Sequence, residues 1–375
     1  MISIKDKKDC CGCTACISVC PHQVVSMCTD AEGFLYPIVD KNKCIDCGLC
    51  NKVCPLLNQK IEEFVHMNVY AVLNRSVYEY MRSSSGGVFI QLCKEIIRQQ
   101  GVVCGAVYDD NFIVKHQFRE TIEGCHDFQT SKYVQSNIIG IFPEIKKKLK
   151  ANRKVLFSGT PCQVAGLKSY LNCDYENLYT CDIVCHGVPS PAVFEDYKRF
   201  VAKGRLISSI NMKSKNQKNN STTFRFEFAN GEQEEDTLAI NVWKELYFNH
   251  YISRPSCHAC LFTNMNRPGD ITIGDFWHYQ KKYPNFHEGK AISLVLVSSH
   301  KGEKLFSSIQ FSFFVNNSSK EECLQPQLQY PTPIANNRKT FWEKYQRESF
   351  QVIAKQYGSY TIGNRLKEFI RNKIK

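Results

Sequence analysis

Cysteines at Cys10, Cys13, Cys16 and Cys20, with Pro21 after the last, recur in the same order and spacing as Cys44, Cys47, Cys50 and Cys54, followed by Pro55. Three thiolates at i, i+3 and i+6 on a tight loop can grip three irons of one 4Fe-4S cube, while a fourth, just before proline, reaches the other cube. The spacing therefore assigns Cys10, Cys13, Cys16 and Cys54 to one cluster, and Cys44, Cys47, Cys50 and Cys20 to a second. Two zinc sites are the competing reading, but tetrahedral zinc has no need of a crossed fourth ligand followed by proline. Cys11 and Cys28 fall outside the pattern and read as packed thiols. Such a module moves single electrons; it does not select a substrate.

A second set of thiols is dispersed: Cys162 in Ser158-Gly159-Thr160-Pro161-Cys162-Gln163, Cys185 in Cys185-His186-Gly187, and the pair in Cys257-His258-Ala259-Cys260. C-x2-C is half a metal site. Cys162 and Cys185 follow predicted strands, and the C-terminal ends of strands are where α/β sheets gather ligands, so a four-thiolate site is one reading. Three others compete. Cys162 opens a predicted helix, whose dipole would lower its pKa and make it a nucleophile; the four could hold structural zinc; or they are ordinary buried cysteines. Ser85-Gly86-Gly87, also at a predicted helix start, is a sensible phosphate cradle. Serine and glycine also cap helices, however, and no G-x-G-x-x-G follows the first strand.

These groups need a scaffold. The chain has 375 residues, a prior of two or three domains, with 43% hydrophobic and 22% charged residues, as in a globular protein. Apolar runs such as Ile292 to Val297 are too short to span a bilayer, and the N-terminus lacks a secretion signal, so a cytoplasmic location is expected. Ten of the 20 cysteines lie between Cys10 and Cys54, which in that compartment argues for metal ligation or redox chemistry. The net charge of +12 does not point to nucleic acid, because +7 of it lies between Arg338 and Lys375.

The polar, Cys-free segment Leu56 to Glu63 places a domain boundary near residue 60. Beyond it, strands are predicted at Val69 to Leu73, Val102 to Tyr108, Phe112 to Gln117, Lys154 to Phe157 and Leu178 to Val184. Helices are predicted from Gly86 to Gln99, Asn137 to Lys150, Cys162 to Leu171 and Pro191 to Ala202. Thr222 to Phe228, ending in Ala229-Asn230-Gly231, reads as a hairpin, and Asp270 to Ile273 and Ile292 to Ser298 return to the sheet. The expected fold is an α+β ferredoxin-like two-cluster domain (1–60), then an α/β layered domain with a β-hairpin excursion (61–335), and a basic helical C-terminal tail (336–375). In the tail Leu366, Phe369 and Ile370 share a helical face ringed by basic residues, which suits an anionic membrane surface, a partner, or packing on its own domain.

From about Tyr70 to Gly302 the sequence resembles the coenzyme F420 hydrogenase/dehydrogenase beta subunit family. The motifs are Ser83-Ser84-Ser85-Gly86-Gly87, Ser131-Lys132-Tyr133-Val134-Gln135-Ser136, Gly159-Thr160-Pro161-Cys162-Gln163, Cys185-His186-Gly187-Val188-Pro189, Arg254-Pro255-Ser256-Cys257-His258-Ala259-Cys260 and Gly269-Asp270-Ile271-Thr272-Ile273-Gly274-Asp275-Phe276-Trp277. The resemblance implies FAD and a third 4Fe-4S cluster in the α/β domain, the cluster on Cys162, Cys185, Cys257 and Cys260. It places the flavin at Ser85, Gly86, Gly87, Thr160 and the matching loop of Lys132, Tyr133, Gln135 and Ser136, with His186 the nearest candidate acid or base. One departure limits it: where relatives tend to carry an acidic pair before a glycine, this chain has Glu288-Gly289 alone, so different substrate-side contacts are expected, and use of coenzyme F420 does not follow from the resemblance, because fold and cofactors can be retained while the substrate changes. The implied function is an iron-sulfur flavoprotein oxidoreductase that passes electrons between a two-electron small-molecule partner and a redox protein or larger complex. The alternative is a non-catalytic electron-transfer subunit; a Cys162 thiol enzyme is the third reading.

Overall fold

The computed structural model describes residues 1–58, 67–215 and 222–374, without the side chains of residues 369 and 371–374. The expected boundary at residue 60 lies outside the described residues.

In the N-terminal unit the sequence repeat is also a backbone repeat. Short helices Ala15–Val19 and Leu49–Lys52 begin at equivalent positions of the two copies, each after a left-handed residue, Thr14 (φ 64°) and Gly48 (φ 74°). Two residues earlier Gly12 (φ 72°) and Asp46 (φ 49°) match in the same way. Left-handed backbone is costly for residues with a side chain, so its recurrence in both copies marks two loops wound to one specification. Strands β1 (Val25–Thr29) and β2 (Leu35–Val39) pair antiparallel between the loops.

The second unit is built on an eight-stranded mixed sheet. Its strands are β3 (Asn68–Asn74), β4 (Val102–Tyr108), β5 (Val114–Arg119), β6 (Val155–Gly159), β7 (Leu178–Ile183), β11 (Ile271–Asp275), β12 (Ser293–Val297) and β13 (Phe313–Ser318). They lie in the order β13-β3-β12-β11-β7-β6-β4-β5. The centre, β4, β6, β7 and β11, is parallel, and antiparallel strands close both sides. Helices Phe89–Arg98 and His300–Ile309 bury Ile90, Ile96, Leu305 and Phe306 on one face. Helices Ile141–Lys150 and Pro161–Leu171 bury Phe142, Ile145, Val164 and Leu167 on the other. Near-continuous apolar strands such as Ser293–Val297, wholly buried, are what a sheet covered on both faces requires.

The expected hairpin is a three-stranded sheet, β10-β9-β8, of β8 (Ile207–Lys215), β9 (Thr222–Phe228) and β10 (Gln233–Glu235). Sequence pattern missed β8, whose polar alternation hides Ile210 and Met212 in the core. This sheet packs with helices Pro191–Ala202 and Leu238–Phe248 into a second core centred on Trp243, Tyr197 and Phe226. The tail is helical at Arg338–Tyr345, Phe350–Tyr357 and Ile362–Ile374. Phe341, Trp342, Ile353 and Ala354 are buried in that same core, so its first two helices are no appendage; the last leaves Ile362, Leu366 and Ile370 exposed. Among the described residues no helix is long and apolar enough to cross a membrane.

Candidate functional site

Cys10, Cys13, Cys16 and Cys54 line one small cavity, and Cys20, Cys44, Cys47 and Cys50 line another, each about 20 Å3. The crossed sets named by the spacing are thus the sets brought together in space. Burial pushes the Cys16 thiol up to about 12 and raises that of Cys54, so these groups become good thiolates only with a cation to share. Cys162, Cys185, Cys257 and Cys260 line a third cavity of about 30 Å3. Backbone N–H groups already point at two of its sulfurs, Val188 N at Cys257 Sγ (3.4 Å) and Phe262 N at Cys260 Sγ (3.4 Å).

The surroundings of Cys162 oppose the activation that a nucleophile needs. A hydrogen bond with the Cys11 thiol, together with burial, pushes Cys162 well above the ordinary thiol range, outweighing the helix dipole expected to lower it. Burial likewise drives Cys257 to about 12 and Cys260 to about 11. Cys11, read as a packed thiol, is buried and lines both the third cavity and the one at Cys10.

A larger cleft of about 290 Å3 opens at the C-terminal ends of the parallel strands, where α/β sheets bind ligands. Of the eight residues expected around a flavin, Ser85, Gly87, Lys132, Tyr133, Ser136 and Thr160 line it, as does His186. Gly86 and Gln135 do not. A Cβ on Gly86 would stand 2.2 Å from the Val72 carbonyl, and its N–H donates to Ser293 Oγ (2.8 Å), so this glycine serves packing on β3 and β12. Gln135 turns away from the cleft to the N-terminal unit, donating to the Cys11 carbonyl (3.1 Å). Lys132 lines the wall, but its Nζ donates to its own loop, at the carbonyls of Asp127 (2.7 Å) and Gln129 (3.0 Å), and burial lowers it to about 7. It is a loop clamp, not a free phosphate ligand.

The opposite wall carries His186 against Trp277 (centroids 5.2 Å apart) and an ion pair between Lys213 and Asp275. Burial pushes His186 down to about 4, leaving it neutral at physiological pH, a hydrogen-bond partner and not a ready proton donor. Sequence reasoning missed Lys213 because it comes from β8; the alternation Lys213-x-Lys215 at a strand end was the available signal. Lys215 is buried and donates to the carbonyls of Tyr80 (2.8 Å), Ser83 and Ser85 (2.6 Å), fixing the serine-glycine loop.

His116 lines the same cleft. Its Nε2 faces the Ser158 carbonyl at 2.9 Å, Nδ1 is buried without a partner among the described residues, and burial holds the ring down to about 4. Between that value and about 6.5 in the unfolded chain, unfolding takes up a proton, so stability falls as pH is lowered through this window. A gap of that size corresponds to about 3 kcal/mol. In thermal unfolding, wild type should therefore lose stability relative to His116→Gln as pH drops from about 6.5 to about 4. Parallel pH dependence in the two would rule this out.

Comparison with known proteins matches two family models: "4Fe-4S dicluster domain" over residues 9–57, and the C terminus of the coenzyme F420 hydrogenase/dehydrogenase beta subunit over residues 152–319. The latter takes in all four cysteines of the third cavity; the motifs at 83–87 and 131–136 precede it. No curated protein matches the chain. Among solved structures, a chain of the F420-reducing [NiFe] hydrogenase complex from Methanosarcina barkeri, in a xenon-derivatization study, is similar over 81% of this chain and 97% of that one, at 15% identity and a TM-score of 0.46. The cysteine pattern and both family matches agree: this is an iron-sulfur electron-transfer protein related to the coenzyme F420 hydrogenase/dehydrogenase beta subunit, whose C-terminal family model it matches over residues 152–319, with a 4Fe-4S dicluster domain at its N-terminus.

Proposed function

We propose that the chain is a flavin-linked iron-sulfur oxidoreductase, with FAD in the large cleft, a 4Fe-4S cluster on Cys162, Cys185, Cys257 and Cys260, and two more on the crossed N-terminal sets. What supports this reading most is that the cavities adjoin one another in series. Thr160, Cys185, Gly187 and Val188 line both the cleft and the third cavity. Cys11 lines both the third cavity and the one at Cys10. An apolar cluster of Ile2, Val25 and Cys50, with Cys16, Cys20 and Cys54 packed against it, joins the two N-terminal cavities.

When bound, the flavin would exchange electron pairs with a small molecule and the clusters would pass electrons singly. The chain's own residues supply position and shielding. Lys215 holds the Ser83–Ser85 loop, Gly87 (φ 81°) turns it towards the cleft, and Tyr133, stacked on Phe224 at 5.9 Å, forms an aromatic wall. Lys213 offers a cation where an anionic substrate group would lie, balanced by Asp275. At the far cavity Cys47 is exposed and Ile45, which lines the same cavity, is 66% exposed, a face suited to a redox partner or larger complex. A membrane role for the tail would rest on the exposed Leu366 and Ile370.

The test is anaerobic purification of the full chain with flavin and iron assays, then a screen of coenzyme F420 and NAD(P)H for flavin reduction. One FAD released on denaturation, and reduction by one donor, is the expected result. Flavin that stays oxidised with every donor would favour the non-catalytic carrier, and a chain that takes up no FAD would sink the flavin assignment.

A further inference from the structure

Arg254 is wholly buried where the two units meet. Its Nε donates to the Cys10 carbonyl (2.7 Å), Nη1 to Gln135 Oε1 (3.0 Å), and Nη2 to the Leu35 carbonyl (2.8 Å) and to Cys10 Sγ (3.6 Å). The guanidinium lies 4.3 Å from the ring centroid of Tyr36 and 5.3 Å from that of Phe34. Arg254 also lines the third thiol cavity, immediately before the turn Pro255–Ala259 that carries Cys257. The contact leaves no slack: a Cβ on Gly12 would stand 3.0 Å from Arg254 Nη1.

The Cys10 and Leu35 carbonyls and the Gln135 amide among these acceptors carry no charge. Among the described residues no carboxylate pairs with Arg254 within 4.0 Å, although the other fully buried arginine, Arg267, is paired with Asp182 at 3.0 Å. A buried cation without an anion is strongly unfavourable, whatever its hydrogen bonds to carbonyls. The missing negative charge has a ready source. A cube held by four thiolates is anionic, and Cys10 Sγ is the group Arg254 touches.

We propose that Arg254 is the buried counter-ion of the cluster held by Cys10, Cys13, Cys16 and Cys54, and that it raises that cluster's reduction potential above the value of its N-terminal twin. Reduction adds one electron to the cube and moves no atom, so the cube gains one negative charge, and a cation fixed in a low-dielectric setting stabilises the reduced form. The twin, at Cys20, Cys44, Cys47 and Cys50, is wetter at Cys47 and receives the Ile2 N–H (3.1 Å to Cys50 Sγ) as its donor. Electrons arriving at the N-terminal unit are thereby held first beside the third cavity. This deepens the reading of the N-terminal cysteines as two clusters and does not depend on the flavin.

Potentiometric titration of the anaerobic full chain, reduced stepwise with dithionite and followed by EPR, tests it in wild type, Arg254→Gln and Arg254→Lys. Glutamine keeps hydrogen-bond donors without the charge; lysine keeps the charge with fewer donors. In Arg254→Gln the equilibrium between the two N-terminal clusters should shift at least tenfold, about 59 mV for one electron, with only one midpoint falling. Arg254→Lys should stay within about threefold of wild type, which a merely structural role would not produce. An unchanged midpoint in Arg254→Gln, an equal fall in both clusters, or loss of iron from both variants would overturn the proposal. Loss of iron from the glutamine variant alone, with lysine keeping iron and potential, supports it. Absence of two N-terminal cluster signals in wild type would instead refute the two-cluster reading on which the proposal rests.

Discussion

Replacing Cys54 with alanine should remove or remodel the cluster otherwise held by Cys10, Cys13 and Cys16, although all three belong to the other copy of the repeat. The expectation follows from geometry at both levels. The fourth cysteine of each run stands before a proline, where the chain leaves its own loop, and Cys54 shares a cavity with the other run's first three cysteines. The backbone there is independently fixed: Cys54 N bonds to the Asn51 carbonyl (3.1 Å), and the Cys54 carbonyl accepts from Leu57 N (3.2 Å) and Asn58 N (3.0 Å). The variant should therefore fold and present three thiolates to the cube, with loss of about four irons, or of one on conversion to a three-iron form. EPR of the reduced protein should show that cluster changed and the twin preserved. Damage confined to the cluster of Cys44, Cys47 and Cys50 would show that the ligation is not crossed.

The second large effect is expected from the double variant Cys257→Ala, Cys260→Ala in the full chain. If each site is a filled 4Fe-4S cube, iron should fall from about twelve to about eight per chain, a loss that the two N-terminal clusters cannot explain. Flavin binding should weaken too, because Cys185 lies on the wall shared with the cleft and Gly187 packs on Cys257, where a Cβ would stand 3.2 Å from Cys257 Cβ. Retention of all the iron, or zinc in anaerobically prepared wild type, would sink the third-cluster assignment. Testing this in an isolated C-terminal fragment is a poor choice. Removing residues 1–58 would strip Arg254 of the Cys10 and Leu35 carbonyls and uncover Gly166, against which Cys13 is packed at 2.7 Å from an ideal Cβ.

The N-terminal unit was legible because its information is local. The close spacing of the ligands sets one loop, its exact recurrence sets the twin, and the same left-handed turns at Gly12, Thr14, Asp46 and Gly48 follow from that spacing. The parallel core was legible for a similar reason: β4, β6 and β7 are short apolar runs separated by periodic helices, which only a sheet covered on both faces can bury. What no local pattern contained was which distant segments meet. Lys213 reaches Asp275 across 62 residues, and Arg254 reaches Cys10 across 244. Gly86 and Gln135 sit in motifs that read as cofactor loops, yet one is spent on the sheet and the other on the domain contact, because side-chain direction depends on the strand or loop packed alongside. The tail reads as a basic helical segment whose docking the sequence leaves open, and Phe341 and Trp342 are drawn into the core by the free energy of removing large aromatic surfaces from water. The sequence alone thus named the candidate thiolates of the N-terminal unit, through spacing along one chain; the tertiary structure decided which thiols share a cavity, the order of the cavities in space and the buried charge between them, because those depend on contacts between segments that spacing does not relate.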